Sequence, residues 1–317
     1  IFKMLGCYCD CPGVSLPFDA NTFFNQHDLD MINGVADIPN TVEIQSDKIL
    51  WYGNWSTTQW SLKNVLNGGA VITDDTLKRD VWEWMNETIH PSYFQKVWSL
   101  YGRKTPPVSI LCFSHPTAWH REGPILFPEN LPEYINTEIV SMPRAPAVIN
   151  FRLLGDKDGS KLQFAHPTPE LDVQEKECIQ KYFDTWTEDI QDNTHAYEHN
   201  GLVFTAQQHW LGNHSDPEKK WVGEKQNKET THVVTTRDVV LRDNDLMNTG
   251  NVSTMWDDKL NFITEHVGMH NPYIVNLSKW HRVLTNGEPR VTFRIHANTD
   301  LTFEDIERLH DNGEFFK

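Results

Sequence analysis

The stretch Lys279–Ile295, KWHRVLTNGEPRVTFRI, holds two strand-like runs around an Asn286-Gly287 turn, and its reading decides the fold. Read locally it is a hairpin, because Asn-Gly between alternating apolar residues is a strong short-range turn signal. A period of two puts His281 and Val283 on one face, with Trp280, Arg282 and Leu284 on the other. Beyond the turn Arg290, Thr292 and Arg294 share a face, while Val291, Phe293 and Ile295 form an apolar one. Two arginines on one side of a strand whose other side is apolar need a polar interior. The mouth of a barrel supplies one, where a guanidinium grips a carboxylate through two parallel hydrogen bonds. The segment therefore either closes a sheet or carries a site in which His281 holds a metal and Arg290 an acid.

The rest of the chain reads as antiparallel strands flanked by helices. Asp74–Arg103 places Leu77, Val81, Trp82 and Met85 at the spacing of an amphipathic helix, and Pro91 separates it from a second helical piece. PPVSILCFSH is β-rich. Within 133–154 the apolar alternation of Ala147, Ile149 and Phe151 marks a buried strand, with DKDGSK as a hairpin-like turn and LQFAHP as the returning strand. LDVQEKECIQKYFDTWTEDIQ suggests a helix, and HVVTTRDVVL and PYIVNLSKWHRVL return to strands. Thr302 with Asp305 three residues on forms an approximate capping box before a C-terminal helix. The polar segment 211–231 has no apolar period and reads as an exposed insertion or lid. This pattern is α+β, a barrel or jelly roll with helical support.

Composition limits the function classes. A chain of 317 residues with 12 Trp and 16 Phe has the anchors for a large core. Its formal charge of −16, from 28 basic and 44 acidic residues, argues against a general nucleic-acid or anionic-membrane surface. No apolar run approaches the ~20 residues of a spanning helix, and IFKMLGCYCDCPG lacks a secretory signal's apolar segment. The expectation is a soluble, cytoplasmic protein acting on a small-molecule or peptide substrate. Sequons at Asn54, Asn86, Asn213, Asn251 and Asn276 are read as chance matches in an Asn-rich chain. Cys7, Cys9 and Cys11 lack the separated ligand pairs of a tetrahedral sulfur site and read as reduced thiols.

The order N-x-x-x-x-H-x-V-x-x-N-G-x-x-R-x-x-x-x-I, here Asn276, His281, Val283, Asn286, Gly287, Arg290 and Ile295, resembles the last two core strands of Fe(II)/2-oxoglutarate-dependent oxygenases. The likeness is particularly to small prolyl- and aspartyl-hydroxylase-like members of phage and marine bacteria. Pro143–Phe164, PRAPAVINFRLLGDKDGSKLQF, resembles the family segment that follows the first metal ligands. Together the two cover about a fifth of the chain. The resemblance implies a double-stranded β-helix, and the chain's length favours a single domain over 1–317. It would comprise an N-terminal extension with supporting helices (1–105), a double-stranded β-helix core (106–300) with an insertion around 170–231, and a C-terminal helix (301–317).

It also implies an iron held by two histidines and a carboxylate, leaving positions for 2-oxoglutarate and O2. His281 matches the second histidine and Arg290 the co-substrate arginine, with Arg294 next in line. The first two ligands depart from the pattern. In the corresponding stretch LPEYINTEIVSMPR, Tyr134 and Asn136 occupy their places, and the nearest intact H-x-E is His120-Arg121-Glu122. Either His120 and Glu122 complete the triad, or the site is metal-free and the chain a cupin-like β-helix binding or structural protein of a viral kind, or the register is different. Elsewhere His115, His166, His209 and His214 read as turn or surface residues. His195 and His199, which formally match H-x-x-E-H with Glu198, read as part of a polar loop.

Overall fold

In the computed structural model the 279–295 stretch is not a hairpin. Its two strands, Trp280–Leu284 and Arg290–His296, lie in different sheets, each hydrogen-bonded to other partners. The same holds for Ala147–Leu154 and Lys161–Pro167. Local turn chemistry reads such neighbours as pairs, but the connections cross between sheets, and the buried faces choose the partners.

The structure describes residues 6–19, 23–33, 43–53, 68–93, 108–113, 116–122, 146–155, 160–184, 194–211, 231–249, 251–267, 271–285, 288–297 and 301–317. In chain order the strands are β1 (Tyr8–Asp10), β2 (Glu43–Gln45), β3 (Ile49–Gly53), β4 (Gly68–Ile72), β5 (Val108–Phe113), β6 (His120–Glu122), β7 (Ala147–Leu154), β8 (Lys161–Pro167), β9 (Thr194–His199), β10 (Leu202–Leu211), β11 (Thr231–Leu241), β12 (Leu260–Val267), β13 (Tyr273–Asn276), β14 (Trp280–Leu284) and β15 (Arg290–His296). The helices are α1 (Gln26–Ile32), α2 (Asp75–Thr88), α3 (Pro169–Asp184), α4 (Asn244–Thr249) and α5 (Phe303–Asp311). One sheet runs β1-β13-β7-β15-β5-β4-β3-β2 and the other β12-β8-β14-β6-β11-β10-β9. The pairings are antiparallel, so the fold is α+β with two antiparallel sheets.

Three apolar clusters place the layers. Val148, Tyr273 and Val275 of the first sheet and Leu162, Phe164 and Val283 of the second pack together, so their faces meet in the interior. On the outer side of the first sheet Ile149, Phe151, Val291, Phe293 and Ile295 pack under Met31 of α1, Val81 and Met85 of α2, and Ile306 of α5. On the outer side of the second sheet Ala165, Phe204, Val239 and Trp280 meet Leu171, Ile179 and Phe183 of α3. The helices form where capping and the apolar stripe agree. Asp74 caps α2 through the Leu77 N–H, and Thr302 and Asp305 form a full capping box on α5.

Several local expectations change. In the N-terminal region β2–β4 continue the first sheet beyond β5, and β1 adds to its other edge. The 170–231 insertion contributes α3 and the strands β9 and β10, which with β11 widen the second sheet. His195 and His199 therefore lie on strand β9 rather than in a loop. Asn200 (φ 50°) and Gly201 (φ 78°) make the tight turn into β10, the positive-φ pair that a two-residue hairpin requires. His166 sits on β8, not in a turn, and His209 on β10. Residues 212–230, including His214, the stretch with Tyr134 and Asn136, and His115 lie outside the described residues.

Cys7, Cys9 and Cys11 are buried on and beside β1, Cys7 in the interior and the other two in the outer cluster. Burial pushes the Cys7 thiol up to about 11 and Cys9 to about 12, so they behave as small apolar side chains. Among the described residues no helix is long and apolar enough to cross a membrane.

Candidate metal centre

Strand β6 is three residues long, and its alternation sends His120 and Glu122 inward and Arg121 outward. It lies antiparallel to β14, with His120 directly opposite His281. The adjoining chain continues this contact. Val283 N–H donates to the Thr117 hydroxyl, and Glu122 N–H donates to the Leu277 carbonyl, both at 2.8 Å. On the other side β11 holds β6 through three register pairs. The H-x-E segment and the histidine strand are thus laid side by side by backbone pairing.

One ligand atom from each of His120, Glu122 and His281 lies within 4.8 Å of the others, and all three residues are buried. His120 Nε2 is 3.9 Å from Glu122 Oε1, and the two imidazole centroids are 4.2 Å apart. Each Nδ1 lies 2.8 Å from a backbone carbonyl oxygen, Ala118 for His120 and Lys279 for His281. A carbonyl only accepts, so Nδ1 carries the proton and the Nε2 lone pair is left to the centre. This is the outer support that orients metal-ligating imidazoles.

Burial, reinforced by the neighbouring His120, lowers the His281 pKa to about 3, and its ring is neutral at physiological pH. A neutral imidazole is the form that binds a metal. Two imidazoles and one carboxylate on one wall suit Fe(II) in a two-histidine, one-carboxylate site, and the donor types also suit Zn(II).

Opposite stands the inner face of β15. Arg290 and Thr292 are buried there, and Arg294 reaches Glu122, its Nη2 4.0 Å from Oε1. Arg290 is four residues nearer the start of β15, or about 13 Å along the strand. Asn150 of β7 is the cross-strand partner of both Arg294 and Tyr273. Burial raises the Tyr273 phenol pKa, while Arg290 and Arg294 pull it the other way. The inner wall thus carries a metal-type triad and a cationic, hydrogen-bonding patch. Phe164, with its ring centroid 6.1 Å from that of His281, adds an apolar side.

No protein-family model matches the chain, and no match was found among curated proteins or solved structures. The geometry alone carries the functional argument. Five sequence candidates, His120, Glu122, His281, Arg290 and Arg294, line one interior, and Arg294, second to Arg290 in sequence, pairs with Glu122 of the triad. Asn150 and Tyr273 were not singled out from sequence. Their signal was the alternation in AVINFRLL and PYIVN, where Asn150 and Tyr273 fall in register with inward positions.

Proposed function

We propose that this protein is an Fe(II)- and 2-oxoglutarate-dependent oxygenase that hydroxylates a small-molecule or peptide substrate. The observation that carries the reading is the meeting of His120, Glu122 and His281 on one inner wall with Arg290 and Arg294 on the wall opposite. Strand order supports it. β5, β6, β7 and β8 alternate between the sheets, as do β12 to β15, and the inner strands run β5-β15-β7-β13 in one sheet and β6-β14-β8-β12 in the other. We read this alternation as a double-stranded β-helix, or jelly roll.

In this reading His120, Glu122 and His281 hold the iron, which supplies oxidative chemistry coupled to decarboxylation of 2-oxoglutarate. The chain's own part is placement. Arg290 pairs with the distal carboxylate of the co-substrate through charge-assisted hydrogen bonds. The carbonyls of Ala118 and Lys279 fix both imidazole tautomers. Phe164 and the interior apolar cluster exclude water from one side.

The Arg294–Glu122 contact favours one alternative, a metal-free binding module in which Arg294 neutralises Glu122 and the arginines receive an organic acid. Anaerobic titration with Fe(II) and 2-oxoglutarate separates the two, with Zn(II) as a control metal. A visible charge-transfer band that His281→Ala abolishes supports the oxygenase. A folded protein that gives no band, yet binds organic acids without metal, supports the module.

A further inference from the structure

Between the two candidate ligands of β6 stands Arg121, and alternation turns it to the outer face of the sheet. There it makes an ion pair with Glu175 of α3, the guanidinium side chain 17% exposed and the carboxylate side chain 5%. Glu175 interrupts an apolar stripe, with Leu171 four residues before it and Cys178, Ile179 and Tyr182 after it. A carboxylate in such a stripe carries a desolvation cost that an apolar residue would not. What the pair adds is direction, since a guanidinium and a carboxylate fix each other's geometry.

We propose that the Arg121–Glu175 pair is the positioning device of the metal centre, holding the strand that presents His120 and Glu122 from its reverse face. The inference rests on the metal-centre reading above. Three features carry it. Strand β6 has three residues and one register pair with β14, flanked by the bonds of Thr117 to Val283 and of Glu122 to Leu277, so a side-chain tie at its central residue adds to a short backbone anchorage. A cavity of about 310 Å³ lies beside the pair, lined by Arg121, Glu175, Ser278, Lys279 and Trp280, so packing on that side leaves room for Arg121 to move. Lys279 and Trp280 also lead directly into His281, and the Lys279 carbonyl takes the His281 Nδ1–H. One outer cavity thus touches the residue between the first two ligands and the segment that holds the third. Arg121 and Glu175 are positioning residues and touch neither substrate nor metal.

The test uses Co(II) as a spectroscopic stand-in for iron and the Nδ1–H signal of His120 in ¹⁵N-histidine-labelled, metal-free protein. Glu175→Gln is expected to weaken Co(II) binding by roughly 10–100-fold, the scale of lost outer-shell support. It should also shift or broaden the His120 signal, while Glu175→Asp retains most of both. The variant Arg121→Met/Glu175→Leu leaves no unpaired buried charge and keeps the fold should the single variant unfold; it is expected to show the same loss. A folded variant of either kind with unchanged Co(II) affinity and an unchanged His120 signal overturns the proposal. If the unaltered protein binds no Co(II), the metal reading fails. The His120 signal then decides the positioning inference by itself, with a shift supporting it and an unchanged signal overturning it.

Discussion

His281 of β14 stands directly across from His120 of β6, and their rings lie 4.2 Å apart although 161 positions separate them in the chain. Two imidazoles with both Nδ1 atoms occupied by carbonyls have their Nε2 atoms left for a shared partner. Replacing either histidine by Ala, or Glu122 by Gln, is therefore expected to weaken Fe(II) binding by more than about 100-fold, since even the partners behind such ligands are worth roughly 10–100-fold. Isothermal titration under anaerobic conditions measures this, and a His281→Ala variant with full affinity would end the assignment.

The two inner arginines are expected to separate by readout. Removing a buried charge partner of a bound anion costs roughly 2–5 kcal/mol. Arg290→Ala should accordingly raise the 2-oxoglutarate Kd by about 30-fold or more while leaving Fe(II) affinity near its original value. Arg294→Met leaves Glu122 without its nearby cation and should lower the melting temperature of the metal-free protein. Adding Glu122→Gln to it should recover part of that loss. Equal effects of Arg290→Ala and Arg294→Met on both readouts would contradict this division.

Acid sensitivity has a defined direction. His281 is held neutral in the folded state, with its pKa lowered to about 3, whereas the unfolded chain binds a proton near pH 6.5. The stabilising contribution is thus fully present above about pH 6.5 and is lost as pH falls from there toward 3, at up to roughly 1.4 kcal/mol per unit. Urea unfolding of metal-free protein at pH 7, 5 and 4 should show this decline, and His281→Gln should flatten it.

Gly155 follows β7 with φ +94°, and a Cβ there would overlap the Pro289 carbonyl oxygen and crowd Arg290 Cα. Gly155→Ala is expected to cost roughly 3 kcal/mol or more, combining a strained backbone with a clash that cannot relax through a side chain. Gly13 has a similar φ of +85° with nothing within 4 Å, so Gly13→Ala isolates the backbone part at about 1–2 kcal/mol. If the two variants lose the same stability in urea melts, the close approach between β7 and the start of β15 is not the cause.

Much of this protein was determined by local sequence. The alternation in VTFRI separates the helix-covered face of β15 from its inner face, because a strand's side chains must alternate. The Thr302 and Asp305 pair set the start of α5, because an exposed helix end needs its N–H groups capped nearby. The pairing of His281 with Arg290 in one motif pointed to a metal and an acid before any partner was known. Which strand lies beside which was settled only in three dimensions. TNGEP and DKDGSK read as hairpin turns because turn chemistry reports on a few adjacent residues. Whether the chain returns beside its neighbour or crosses to the opposite sheet depends on which faces bury against which. The same crossing sets His120 and Glu122 against His281, and it turns Arg121 away to Glu175, a residue 54 positions further along the chain.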